Sequence, residues 1–183
     1  MRCTIWNMSL RYAVLGLIAE LEGASGYDLL KMFELSLDNV WPATQSQIYG
    51  ELGKLTADGW IEVVGEGPRG RKAYAITPAG RAAMRHWLVD TVPAAPRRDE
   101  PMLRVFFLGQ VDRAEAAEML RRHEDAVRGA HAELAELDAQ LEWDHDDLSF
   151  YGRLVMEYGK RLLAMRTEWA EWARAEIEAD PRA

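Results

Sequence analysis

The side chains best suited to chemistry in this sequence are hydrogen-bonding and cationic. Residues 44–55 read TQSQIYGELGKL and set Thr44, Gln45, Ser46, Gln47, Tyr49 and Lys54 around Ile48, Leu52 and Leu55. The spacings of four and three put the three apolar residues on one face of a helix. The other face carries Ser46, Gly50 and Gly53. Glycine inside a helix costs about 1 kcal/mol relative to alanine, so two on an outer face need a reason outside the core. A groove such as the DNA major groove, about 12 Å wide, supplies one, because a thin surface lets the backbone approach closely. Glutamine suits adenine and serine is permissive, while the helix N-terminus favours phosphate. Tyr49 suits a phosphate or a thymine methyl, and Lys54 a backbone phosphate. Further on, Arg69, Arg71 and Lys72 place three positive charges in four residues, enough for a phosphate-binding patch.

Other chemistry finds less support. In WDHDD (143–147), Asp144, His145, Asp146 and Asp147 are oxygen and nitrogen donors, but adjacent acids before a helix serve as caps and complement the dipole. No metal site and no cofactor is expected. His86, His123 and His131 have no nucleophile or carboxylate partner at a recognisable spacing, and no phosphate-binding glycine loop occurs, so no enzyme is expected. Of the seven tryptophans, Trp41, Trp60 and Trp87 fall in the first half and Trp143, Trp169 and Trp172 in the second, with Trp6 ahead of the first helix. They read as core or interface filling, or as an aromatic cage for a small aromatic effector.

Positioning these groups requires a scaffold, which the patterning supplies. Leu10, Val14, Leu17, Ile18 and Leu21 make an amphipathic helix with Ser9 as N-cap, ended near Gly23. Ser25 caps a second helix whose apolar surface is Leu29, Leu30, Met32, Phe33 and Leu37, and Trp41-Pro42 breaks it. Thr44 with Gln47 is a capping-box pattern for the third, and Gly59 suits its C-terminal stop. WIEVV (60–64) and KAYAIT (72–77) flank a Gly/Pro turn, reading as a β-hairpin. Thr77-Pro78 then opens a helix over 78–90.

Helix, helix, helix, hairpin, helix is the order of a winged helix-turn-helix, in which the third helix enters the major groove and the hairpin tip touches flanking backbone. The segments LRYAVLGLIAE, SGYDLLKMFE, WPATQSQIYGELGKLTADGWIEV and GRKAYAITPAGRAAMRHWL resemble the PadR family of transcriptional regulators over residues 9–90. The motifs carrying the resemblance are Gly26-Tyr27, Gln47-Ile48-Tyr49 and the run from Tyr74 to Gly80. It implies repression of a nearby operon with release by a small ligand, and a second half like the longer, phenolic-acid-repressor branch, which dimerises through C-terminal helices. The chain departs from the family in lacking a basic residue at Gly53 and a proline near Gly50, which removes one phosphate contact. Tyr27 reads either as packing at the junction of the first two helices or as a phosphate contact, and Lys31, one turn on, likewise.

The three prolines of VPAAPRRDEP mark a linker over 93–101, which separates a domain over 1–92 from one over 102–183. Beyond it a short helix spans Met102–Gly109. A longer one runs from about Asp112 to Trp143 with a seam of Leu120, Val127, Leu134 and Leu141. In the last helix Leu148, Tyr151, Val155, Tyr158, Leu162, Met165, Trp169 and Trp172 alternate spacings of three and four, a heptad seam over more than three heptads. Such a seam serves an intramolecular core or a second subunit. A helix of roughly 30 residues spans about 45 Å, more than one small domain requires, so a homodimer is expected. The fold class is mainly α with a small β-hairpin wing.

The 183 residues carry 22 Lys+Arg and 30 Asp+Glu, a net charge of −8. Residues 1–92 hold 9 and 10 of these, leaving the acidity to the second half, which should face away from a polyanion. No apolar run nears the roughly 18 residues that span a bilayer, no signal peptide is evident, and Cys3 stands alone, so a cytoplasmic location without a membrane partner is expected. MRCTIWN reads as an upstream extension, with Met8 as an alternative start. The expected partner is double-stranded DNA with a palindromic operator. The rival reading is a winged-helix module that binds protein rather than DNA.

Overall fold

In the computed structural model, α1 (Thr4–Glu20) lies at the centre of the first unit, packed against α2 (Gly26–Ser36), α3 (Gln45–Ala57), α4 (Pro78–Asp90) and the second hairpin strand. Neighbours on several sides explain why its apolar residues do not form a single stripe. Leu10, Val14, Leu17 and Ile18 are buried as the periodicity predicts, and so is Leu15, which lies off that seam. Ser9 does not cap the helix: α1 begins at Thr4, which puts Ser9 in its second turn. The structure describes residues 4–36, 42–92 and 99–180, without the side chains of residues 4–8 and 69. The expectations on Trp6, Leu37, Trp41 and the Arg69 side chain lie outside the described residues.

Leu29 and Phe33 of α2 and Ile48, Leu52 and Leu55 of α3 close onto α1, with Ile61 and Ile76 sealing the hairpin end. Strands β1 (Ile61–Gly67) and β2 (Arg71–Ile76) pair antiparallel from Ile61–Ile76 to Gly67–Arg71, joined by a tight turn over Pro68–Gly70. The register shifts between Val63 and Gly65, a bulge that leaves Val64 exposed. Thr77 caps α4 by accepting from the Gly80 N–H at 3.1 Å, and its own hydroxyl reaches the Gly59 carbonyl at 2.7 Å. Gly80 is required here. A Cβ would land on the Trp60 carbonyl oxygen and come within 2.9 Å of Ile76 Cγ1.

The chain divides into compact units over Met1–Ala95 and Pro96–Ala183. In the second, α5 (Glu100–Phe106) starts two residues before the expected Met102, because Asp99 caps it and Pro101 fits the first turn. Helix α6 (Arg113–Gln140), capped by an Asp112/Glu115 capping box, ends three residues before Trp143. Trp143 instead folds back: its indole N–H donates to Asp138 at 3.0 Å and its ring would lie 3.1 Å from a Cβ at Gly152. Asp146, in the WDHDD turn, caps α7 (Asp147–Ala179) by accepting from the Ser149 N–H at 2.7 Å.

Helix α7 has two unlike faces. Gly159, Ala170 and Ala173 lie on the buried side of α7, where small residues let α6 approach closely; a Cβ on Gly159 would come within 2.9 Å of Leu134. Leu120 and Val127 are buried from the α6 side. Ion pairs line the contact: Lys160–Asp138 at 2.7 Å and Arg128–Glu171 at 2.6 Å, with the buried Glu124 held by Arg128 and Arg174. The expected seam lies on the other side. Tyr151, Tyr158, Met165 and Trp172, seven residues apart, are 52–67 % exposed, and Leu148 and Val155 are also exposed. Leu162 and Trp169 are half-buried at its margin. Within one subunit Tyr151, Tyr158, Met165 and Trp172 therefore have no core to fill. No helix among the described residues is long and apolar enough to cross a membrane.

Candidate nucleic-acid interface

The α3 face is built from its N-terminus. Thr44 and Gln47 form the capping box: the Gln47 side-chain carbonyl accepts from the Thr44 N–H at 2.8 Å and from the Thr44 hydroxyl at 3.0 Å. This gives both residues a structural task that competes with base reading. The Gln47 amide group remains free to donate, while the Thr44 hydroxyl is shared with Ser46 at 3.1 Å. Gln45, Ser46, Tyr49, Gly50, Gly53 and Lys54 are all exposed. A Cβ at Gly50 or Gly53 would meet nothing within 4 Å, so neither glycine is required by packing or backbone geometry.

Lys54 is less free than its exposure suggests. Its ammonium lies 2.6 Å from Glu51, which is 2 % exposed on the core side of α3. A carboxylate so buried needs a partner, and among the described residues Lys54 is the one it has. Its charge is therefore partly committed before any phosphate arrives.

Tyr27 is 64 % exposed, so it does not pack into the junction between α1 and α2. The residue beside it does that work. A Cβ on Gly26 would come within 2.8 Å of the Tyr49 ring, so the absence of a side chain there lets α3 lie against the start of α2. The Tyr74 hydroxyl is held above its ordinary pKa by burial and by the nearby Tyr49. Lys31 is exposed one turn after Tyr27.

The wing is tied to the same turn. The connector before α2 adds a short third edge to the hairpin: the Gly23 N–H donates to the Tyr74 carbonyl at 2.9 Å, and the Tyr74 N–H donates to Ala24 at 3.1 Å. Arg71 reaches back from the wing, its Nη2 donating to both Asp28 oxygens at 2.9 and 2.7 Å. Asp28 also accepts from the Ser25 N–H at 2.9 Å and the Ser25 hydroxyl at 2.8 Å. Those Ser25 hydrogen bonds, then Arg71, pull its pKa from 3.8 to about 2. Lys72, the next residue, is exposed and makes no ion pair among the described residues. Tyr27, Lys31, α3 and the wing cations thus all belong to the first unit. Sequence reasoning passed over Asp28 and Glu51, and took Gly26 only as part of a family motif. The spacing of Ser25 and Asp28 signals a helix start, but nothing local signals Arg71, 43 residues further on.

The tryptophans serve packing where they are described within this unit. Trp87 stacks on Tyr12 at 4.7 Å, and Trp60 lies 5.9 Å from Tyr12 beneath the Arg11 guanidinium. In the second unit, Trp169 meets His123 edge to face at 6.3 Å.

Comparison with known proteins bears on both units. Residues 14–86 match the transcriptional regulator PadR-like family, and residues 97–178 match the family described as virulence activator alpha C-term. The chain is 34% identical over 137 residues to the negative transcriptional regulator PadR of Bacillus subtilis, covering 73% of each protein. The crystal structure of that PadR in complex with operator DNA is similar at a TM-score of 0.80 and 29% identity, over 92% of this chain and 99% of that one. Its structure in complex with p-coumaric acid is similar at a TM-score of 0.80 and 28% identity, over 92% and 98%.

Proposed function

This chain belongs to the transcriptional regulator PadR-like family, and on that premise we propose that it binds an operator as a homodimer and releases it on binding a small aromatic effector. The carrying observation is the outer face of α3, where amides, a hydroxyl and a tyrosine surround two glycines that nothing in the fold requires. Gln45, Ser46 and the Gln47 amide group are placed for base edges, and Tyr49 for a base or phosphate. Tyr27, Lys31, Lys72, Arg69 and Lys54 supply the flanking backbone contacts, Lys54 through the ammonium hydrogens that Glu51 does not take. Operator DNA in complex with the Bacillus subtilis relative supports this assignment.

The exposed seam of α7 supports the homodimer. Four aromatic or methionine side chains repeating every seven residues on one open face are the pattern of a helix paired with another helix. Two-fold pairing presents two copies of α3, which makes the operator a palindrome with half-sites about one helical turn, or a multiple of it, apart. The effector class follows from the relative's complex with p-coumaric acid. An effector releases DNA by favouring a dimer in which the two recognition helices no longer match that spacing. Repression fits the relative named a negative regulator, the chemistry is binding rather than catalysis, and the cytoplasm is the compartment where such a regulator meets DNA.

The test is selection of duplexes from a random-sequence library by the full chain, followed by footprinting on the DNA upstream of its own gene. A protected palindrome whose affinity falls steeply with salt is the expected result. Failure to enrich any duplex at low salt would transfer the surface to the protein-binding alternative.

A further inference from the structure

We infer that the first turn of α2 is the joint that fixes the wing to the recognition helix, with Asp28 as the positioning residue and Arg71 as its strut rather than a phosphate ligand. The inference rests on the DNA-binding reading above. A two-stranded hairpin is at best marginally stable alone, so the direction in which the wing projects must be set by what its base touches. Three contacts converge on this turn. The connector Gly23–Ser25 extends the hairpin by backbone hydrogen bonds to Tyr74 and a bridge from Ser25 to Ala73. The Asp28 carboxylate holds Arg71 where β2 leaves the wing turn. Gly26 leaves room for the Tyr49 ring of α3. Wing and α3 thus share one anchor, although they are separate in sequence.

Asp28 is itself held through Oδ2. That oxygen accepts from the Ser25 N–H and hydroxyl, so the carboxylate is already oriented before Arg71 arrives. That separates this pair from an ordinary surface ion pair, in which two loose side chains lose entropy on meeting. Arg71 shares one guanidinium nitrogen between both carboxylate oxygens, and a phosphate would have to compete with that arrangement. The adjacent Lys72 has no such carboxylate among the described residues and is the cation free to meet phosphate.

Asp28→Asn, Arg71→Gln, the double variant and Lys72→Gln are compared in the full chain, on a duplex selected by the wild-type chain and on an unselected duplex, across a salt series. Asp28→Asn and Arg71→Gln should each weaken the selected duplex roughly tenfold, and the double variant should be no weaker than either single one. The salt slope should stay unchanged for both, whereas Lys72→Gln should flatten it by about 0.9. Hydrogen exchange of the free chain gives a readout independent of DNA: the β2 amides should exchange faster in Asp28→Asn and Arg71→Gln alike. Arg71→Gln leaves the Ser25–Asp28 cap in place, so it reports on the joint even if Asp28→Asn weakens the fold. A flattened slope in Arg71→Gln, or tighter DNA binding by Asp28→Asn, would make Arg71 a phosphate ligand and overturn the proposal. Unchanged β2 exchange would also overturn it, even if the wild-type chain enriched no duplex and the DNA reading itself had fallen.

Discussion

Replacing both Gly50 and Gly53 by alanine separates stability from function in one variant. Each added Cβ meets open space, so no neighbour has to move. The gain is then the intrinsic helix preference of alanine over glycine, about 1 kcal/mol per site and about 2 kcal/mol for the pair. For a unit of this size, each 1 kcal/mol raises Tm by about 4–8 °C, so the first unit should melt on the order of 10 °C higher. Binding should move the opposite way. A methyl group adds about 1.5 Å of reach, a carbon–carbon bond length, on the face that enters the groove. That is enough to stretch a base contact of about 2.9 Å beyond the roughly 3.5 Å at which a hydrogen bond is lost. One bidentate base contact is worth about 1–3 kcal/mol, so affinity for the selected duplex should fall about tenfold to a hundredfold. Circular dichroism melting and fluorescence anisotropy on one protein preparation measure both. A variant that melts higher yet binds the duplex as tightly as wild type would refute the thin-helix reasoning, and one that does not melt higher would refute the open-space reading.

Gly80→Ala should do the reverse and lower stability by about 1–3 kcal/mol, read as a lower urea midpoint, because its Cβ would strike the Trp60 backbone carbonyl rather than a mobile side chain. Asp28 has a folded pKa of about 2 against an ordinary 3.8, so its stabilisation is complete above pH 4 and is lost as the pH falls towards 2. With its side chain 44% exposed, solvent screening reduces that contribution to about 1 kcal/mol, and Asp28→Asn should remove this part of the acid dependence of the urea midpoint. Tyr158→Glu with Trp172→Glu should convert a dimer to a monomer in sedimentation velocity while leaving the far-ultraviolet helix signal intact, since both side chains are exposed in one subunit. Sedimentation as a dimer after both changes would place the interface elsewhere.

Sequence reasoning reached furthest where the physics is local. The capping box of Thr44 and Gln47, the Thr77 cap before Pro78 and the stop at Gly59 act within three or four residues, and all stand in the structure. The winged order of elements followed from periodicity together with caps, breaks and the Gly/Pro turn, and the outward face of α3 from its spacing. Where neighbours outvoted a local signal, expectation and structure differ. Ser9 has the chemistry of a cap, but α1 begins at Thr4 and leaves Ser9 inside the helix. Gln47 reads as a base contact from its place in α3, yet its carbonyl is spent on the cap.

The sequence by itself determined which residues are apolar, which side chains can end a helix, and that α7 repeats every seven residues. Those signals span a turn or two, within the reach of neighbouring side chains on one element. Only the tertiary structure decided that α7 buries Ala170 and Ala173 and sets Gly159 against Leu134 of α6, while Tyr151, Tyr158, Met165 and Trp172 stay exposed. It alone brought Arg71 to Asp28 and the Tyr49 ring over Gly26, and set Glu51 beneath Lys54 on the inner side of α3. The reason is topological: β2 must return beside the start of α2 before those charges can meet. A contact across 43 positions depends on how the intervening elements pack, which no pattern within a single helix or strand contains.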